Sequence, residues 1–90
     1  MKRPIRTIHF TTHFQRKYRR LSPYQKLLAE MKETIFRADA CDPRLRTHKL
    51  KGRLEGRWAF SVSSDLRIVF RFVSHAEALF LDVGPHDTVY

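Results

Sequence analysis

Residues 57–84, RWAFSVSSDLRIVFRFVSHAEALFLDVG, are three apolar runs separated only by two short polar stretches, and this pattern constrains the fold more than any other in the chain. In the first run Trp58, Phe60 and Val62 alternate with smaller residues. In the second, Leu66, Ile68, Phe70 and Phe72 alternate with Arg67, Val69 and Arg71. A period of two marks strands that bury one face. SSD and SHAE are long enough only for tight turns, so successive strands must lie antiparallel beside one another. The third run, ALFLDVG, carries no charge on either face before Asp82, which places it inside the sheet rather than at an edge.

The upstream half adds one strand and two helices. IRTIHF, residues 5–10, puts Ile8 and Phe10 on one face of a first strand. Thr11 or Thr12 can cap a short basic helix on which Phe14, Tyr18 and Leu21 recur at helical spacing. SPYQ, residues 22–25, offers Ser22 as N-cap, Pro23 at the first helical position and Gln25 to close a capping box. In the helix that follows, Tyr24, Leu27, Leu28, Met31, Ile35 and Ala38 form one apolar stripe, expected to face the core, and Phe36 is read as core as well. Pro43 limits its length. Residues 39–56 are basic and irregular, with turns at Gly52 and Gly56. The expectation is a single α+β domain over residues 1–90, ordered β-α-α-β-β-β. A two-helix hairpin packs on a mostly antiparallel four-stranded sheet, and the sheet's other face stays free for chemistry.

Charge indicates the kind of partner. Eighteen Lys and Arg against nine Asp and Glu give a net charge of +9, a field that gathers polyanions. Met1 to Arg20 has no acid at all, and Arg44 to Arg57 carries six basic residues against Glu55 alone. Nucleic acid or an acidic protein is the expected partner, with solubility as the plainer use of the same charge. A lone cysteine, Cys41, allows no internal disulfide, and the basic start lacks the apolar stretch of a signal peptide, so a cytoplasmic location is expected. No run is long enough for a membrane helix, and no membrane association is expected.

The free face of the sheet would carry Ser61, Ser63, Arg67 and Arg71, since residues two apart on a strand share a face. Two guanidinium groups on rigid strands can hold phosphates without reading sequence; the alternative is pairing with Asp82 and Glu55. Of five histidines, His48 and His86 sit where a loop and a strand end can bring them to that face, whereas His9, His13 and His75 read as structural. RNA cleavage needs a base for the 2′-OH proton, an acid for the departing 5′-oxygen and cations for the charged phosphorane. Two imidazoles and several arginines supply these without a metal, and Asp65 at the turn can orient a histidine. His48, Asp65 and His86 lie far apart in sequence and form no close ligand pair, so neither a metal nor another cofactor is expected.

HKLKGRLEGRWAFSVSSDLRIVFRF followed by ALFLDVGPHDTVY resembles the C-terminal half of the RelE/ParE toxin superfamily, and within it the YafQ-like branch. The L-x-G loop, the D-x-R-I-V-F strand and the V-G-x-H-D-x-x-Y ending occur together at family spacing. The resemblance implies a RelE-like fold and the toxin of a type II toxin-antitoxin pair, an mRNA interferase acting in the ribosomal A site and silenced by an acidic antitoxin. It places the catalytic set on His48, Asp65, His86 and Tyr90, with His86 as general acid and Tyr90 stacking on a base of the message. Lys49, Lys51, Arg53, Arg57, Arg67 and Arg71 would hold the backbones of mRNA and ribosomal RNA. A further family histidine, four residues before the turn acid, falls on Ser61, and serine cannot shuttle a proton near neutral pH as imidazole does. Two other readings stand beside this one. The first is a ParE-like toxin that blocks DNA gyrase by binding, or a catalytically weak homologue acting mainly as an antitoxin partner. The second is a non-catalytic RNA-binding protein.

Overall fold

The computed structural model describes residues 2–54 and 56–86. A first strand, β1 (Thr7–Phe10), leads into helix α1 (Thr12–Arg19) and then α2 (Pro23–Ala38). A 3-10 turn at Pro43–Leu45 precedes a two-residue strand, β2 (His48–Lys49), and a second such turn spans Gly52–Leu54. The meander completes the described elements: β3 (Trp58–Ser63), β4 (Leu66–Ser74) and β5 (Glu77–Gly84). The sheet runs β1-β5-β4-β3-β2, with β1 parallel to β5 and every other pair antiparallel. It has five strands where four were expected. The addition, β2, pairs only His48 with Ala59 and Lys49 with Trp58, and two residues are too few for a period of two to appear in sequence.

Local chemistry explains the starts of both helices. Thr11 Oγ1 accepts from the Phe14 N–H at 3.0 Å, satisfying a first-turn donor. Its own N–H donates to Phe80 O and its hydroxyl to Leu81 O, which pins the start of α1 against β5. Ser22 and Gln25 close the expected capping box, the Gln25 N–H donating to Ser22 Oγ at 3.1 Å and the Ser22 N–H to Gln25 Oε1 at 2.9 Å.

One aromatic cluster holds the helices to the sheet. The Phe36 ring, fully buried on α2, stacks on Phe60 at 5.0 Å and meets Phe70 at 4.9 Å and Phe80 at 5.4 Å edge-on. Removing such a ring costs about 3–5 kcal/mol, a large share of the roughly 5–15 kcal/mol that holds a typical domain folded.

The orientation of α2 departs from expectation. Tyr24, Leu27 and Met31 are 68%, 54% and 55% exposed, and Ala38 is exposed as well. Ala29 and Phe36 are buried, and Leu28 and Ile35 are half-buried. At 3.6 residues per turn, the buried side lies about a quarter turn from the centre of the apolar stripe read from sequence. The helix is apolar over half its circumference, and its pattern cannot say which part meets the sheet; Phe36 settles the matter by filling the space over Phe60, Phe70 and Phe80. A cleft of about 550 Å³ opens between the helices, lined by Phe10, Phe14 and Tyr18 with Glu30 and Glu33 opposite. Burial, with help from the two carboxylates, pushes the Tyr18 phenol up.

The sheet's other face is only partly free. Leu50, Ala59 and Val69 form a second small apolar cluster there, with Leu54 and Leu81 packed against it. The loop between β2 and β3 folds over mid-sheet, closed by Leu50 N–H to Arg57 O (2.9 Å) and Arg57 N–H to Leu54 O (3.0 Å).

Candidate active site

Cross-strand pairing sorts the candidate residues into rows, because residues directly opposite in a sheet share a face. One row reads His48, Ala59, Val69 and Asp82; the next on the same face reads Ser61, Arg67 and Gly84. Strands lie about 4.8 Å apart and rows on one face about 7 Å, so the His48 backbone is roughly 8 Å from that of Ser61, and Ser61 is about 5 Å from Arg67. His86 follows Gly84 by two residues. Asp65 lies in the turn between β3 and β4, which is at the same end of the sheet because β4 and β5 are antiparallel. The fold therefore gathers Ser61, Asp65, Arg67 and His86 at one end and sets His48 one row inward, on the outermost strand.

Hydrogen bonds fix this end tightly. Ser63 Oγ donates to Asp65 Oδ1 at 3.1 Å, and Ser61 Oγ donates to Ser63 O at 3.2 Å. Arg67 Nη1 donates to Ser63 O at 2.7 Å and to Ser64 O at 3.3 Å, holding the guanidinium against the turn with its other N–H groups still available. His48 Nδ1 is 2.9 Å from Arg46 O, an interaction that orients the ring.

The alternative use of Arg67 and Arg71, pairing with Asp82, does not occur. Asp82 Oδ1 instead takes Lys17 Nζ at 2.8 Å and His13 Nε2 at 3.2 Å from α1, and Glu55 lies outside the described residues. Among the described residues neither arginine has an acidic partner. Arg71 is exposed and shares the face of Arg67, roughly 13 Å along the strand. His9 is a structural partner of Glu77, with Nε2 3.1 Å from Oε2, and that contact holds the Glu77 carboxyl below its usual range.

The remaining candidates divide. Lys49 Nζ lies 5.6 Å from the centroid of the Trp58 ring, on the face of β2 opposite His48. Lys51, Arg53 and Arg57 are exposed on the loop that covers mid-sheet. Tyr90 lies outside the described residues. Three cations not singled out from sequence, Lys32, Arg44 and Arg46, line a notch of about 380 Å³ together with Ser61, Ser63, Ser64 and Arg67. Arg44 and Arg46 belong to the basic stretch already evident in sequence, but nothing local signals that α2 delivers Lys32 to them.

Comparison with known proteins decides the family. A family model described as "Bacterial toxin of type II toxin-antitoxin system, YafQ" matches residues 6–90. The chain belongs to the YafQ family of type II toxins. YafQ from E. coli strain BL21(DE3) is similar in structure at a TM-score of 0.69 and 16% identity, over 92% of this chain and 96% of that one. The toxin-antitoxin complex RelBE2 of Mycobacterium tuberculosis gives 0.71 and 22% over 94% and 95%, and the E. coli DinJ-YafQ complex 0.66 and 17% over 92% and 96%. At these identities the structural likeness establishes the RelE-like α+β fold. No curated protein sequence matches the chain. This YafQ-family toxin has no helix, among the described residues, long and apolar enough to cross a membrane.

Proposed function

We propose that this YafQ-family toxin is a metal-independent endoribonuclease that acts in the cytoplasm, cleaving translated mRNA in the ribosomal A site, and that an acidic antitoxin silences it. The observation that carries the reading is the row Ser61–Arg67–Gly84, with Asp65 and His86 at the same end of the sheet and His48 on the same face. His48 takes the 2′-OH proton as that oxygen attacks the adjacent phosphorus. The bond from phosphorus to the 5′-oxygen breaks, His86 gives a proton to the leaving oxygen, and a 2′,3′-cyclic phosphate remains. Arg67, clamped on the turn, faces the charge that builds on the phosphorane. Asp65 is a positioning residue, and Tyr90 stacks on a base of the message. Lys51, Arg53, Arg57 and Arg71 hold RNA backbone, as does Lys49 from the far side of β2.

Support for a protein partner comes from the exposed apolar residues Tyr24, Leu27 and Met31 on α2 in a chain of net charge +9, and from the two complexes among its structural neighbours. Ser61 has no proton-shuttling capacity of its own, which makes a slow enzyme the natural reading of this site.

The test compares growth arrest, mapped mRNA 3′ ends on translating ribosomes and antitoxin binding. His86→Ala and Asp65→Ala should each relieve arrest, with cleavage falling about 10²–10⁴-fold for the histidine, while antitoxin binding persists. A double variant that remains toxic would overturn the nuclease, and inhibition of gyrase supercoiling by that variant would support a binding toxin instead.

A further inference from the structure

The notch beside β3 has a composition that stability alone does not call for. Lys32 from the middle of α2, Arg44 and Arg46 from the segment after it, and Arg67 from β4 converge on one concavity with Ser61, Ser63 and Ser64. Like charges brought together this way repel, and the nearby acids relieve little of it. Asp42 engages Arg44 with both carboxylate oxygens, at 3.0 Å from Nε and 2.9 Å from Nη2. Asp65 is turned to the Ser63 hydroxyl. Lys32, Arg46 and Arg67 have no acidic partner among the described residues.

Contacts hold the side chains of Lys32 and Arg67, and the backbone of Arg46 is fixed. Lys32 Nζ reaches Arg44 O at 3.5 Å, Arg67 is clamped on the carbonyls of the β3–β4 turn, and Arg46 sits at φ 53°, a left-handed conformation fixed by its N–H donating to Pro43 O. The β2 pairing reaches no further than Ala59, so Phe60 to Ser63 on the outer edge of β3 have no paired strand beside them, and the notch lies there. Its volume is within the range of small-ligand clefts, about 300–1,000 Å³.

We propose that this notch is a phosphate-binding subsite for the RNA backbone, in which Lys32, Arg46 and Arg67 hold the two non-bridging oxygens of one phosphate and the Ser61 and Ser63 hydroxyls stand at its wall. Arg67 belongs to both the notch and the reacting face, so a strand lying across that face continues over the β3 edge and places a neighbouring phosphate between the cations. Guanidinium groups suit this task because their paired N–H donors match phosphate oxygens. The site supplies binding energy from a part of the substrate that does not react, next to a position where a proton-shuttling side chain is missing. Its ligand as RNA rests on the ribonuclease reading; its anion chemistry does not.

The experiment uses the purified full chain and a short single-stranded RNA blocked against cleavage by 2′-O-methylation, with affinity followed from low to high KCl. Each phosphate contact contributes about 0.7 to the slope of log K against log salt for single strands. Arg46→Gln and Lys32→Gln should each weaken binding at low salt and reduce that slope by about one contact. Arg6→Gln, before β1 at the opposite edge of the sheet, serves as the control for net charge. Equal losses in all three variants would overturn the subsite, as would failure of the wild-type chain to bind RNA. Cleavage on translating ribosomes is scored separately with wild type: site-dependent binding with no cleavage would support the subsite and overturn the ribonuclease.

Discussion

Asp42 and Arg44 are two residues apart, yet they make the most complete ion pair among the described residues: Asp42 also accepts from the Arg44 backbone N–H at 2.9 Å. These hydrogen bonds from the Arg44 side chain and backbone hold the Asp42 carboxyl down to about 2. A carboxyl lowered by folding stabilises the fold above its unfolded value near 3.9, and that contribution disappears as pH falls through about 2. Asp42 is half-buried and its partner Arg44 exposed to solvent, so the expected signature is spectroscopic. Carbon-detected NMR should place the Asp42 midpoint near 2, and Arg44→Gln should return it toward the ordinary carboxylate value; an ordinary midpoint with Arg44 present would contradict the geometry. This pair also shows where sequence reading stops. Pro43 marks a turn in any sequence and Asp42 and Arg44 lie close enough along the chain to pair, but the place of Arg44 in the wall of the notch depends on α2 bringing Lys32, twelve residues earlier, beside it. His48, Asp65 and His86 are different, because motif spacing alone singles them out. The shared end of Asp65 and His86 follows from the β3–β4–β5 pairing that alternation already implies, whereas His48 reaches the same face through the two-residue β2, which alternation does not announce.

Among the elements, α2 separates what local signals decide from what they leave open. Its start is written in Ser22, Pro23 and Gln25, and the capping box forms as those residues require. Ser22→Ala removes the acceptor for the Gln25 N–H, which should cost about 1 kcal/mol. Urea unfolding should show this as a lower midpoint with an unchanged slope, because the surface exposed on unfolding is the same. A midpoint that did not move would mean that tertiary contacts alone set the start of the helix. The face that α2 buries is a different matter: Tyr24, Leu27 and Met31 satisfy helical periodicity as well as Ala29 and Phe36 do, and only the sheet beneath chooses between them. For the same reason the meander β3 to β5 is legible from short turns and alternation, whereas the parallel contact of β1 with β5 joins residues about seventy positions apart and leaves no local trace.

For the whole molecule, the positive field is unevenly committed. Lys17 is bound to Asp82, Arg37 to Glu33 and Arg44 to Asp42, and the Arg3 guanidinium lies 3.6 Å from the centroid of the Phe72 ring, so these cations serve the fold. Lys32, Arg46 and Arg67 of the notch and the cations of the loop after β2 have no acidic partner among the described residues, on the side that carries β2 and β3. A net charge of +9 arranged this way steers an acidic partner during approach, while the exposed apolar stripe of Tyr24, Leu27 and Met31 offers short-range contact after arrival. The two contributions respond differently to salt. Exposed charges are screened within a Debye length of about 10 Å at 0.1 M, falling to about 3 Å at 1 M, whereas apolar burial is not weakened by this screening. Raising NaCl from low to high ionic strength should therefore slow association with the proposed acidic antitoxin by an order of magnitude or more and leave its dissociation rate nearly unchanged, as measured by stopped-flow mixing and competitive displacement. A dissociation rate that rose in step with the loss of association would mean that ion pairs, and not the apolar face of α2, hold the complex together.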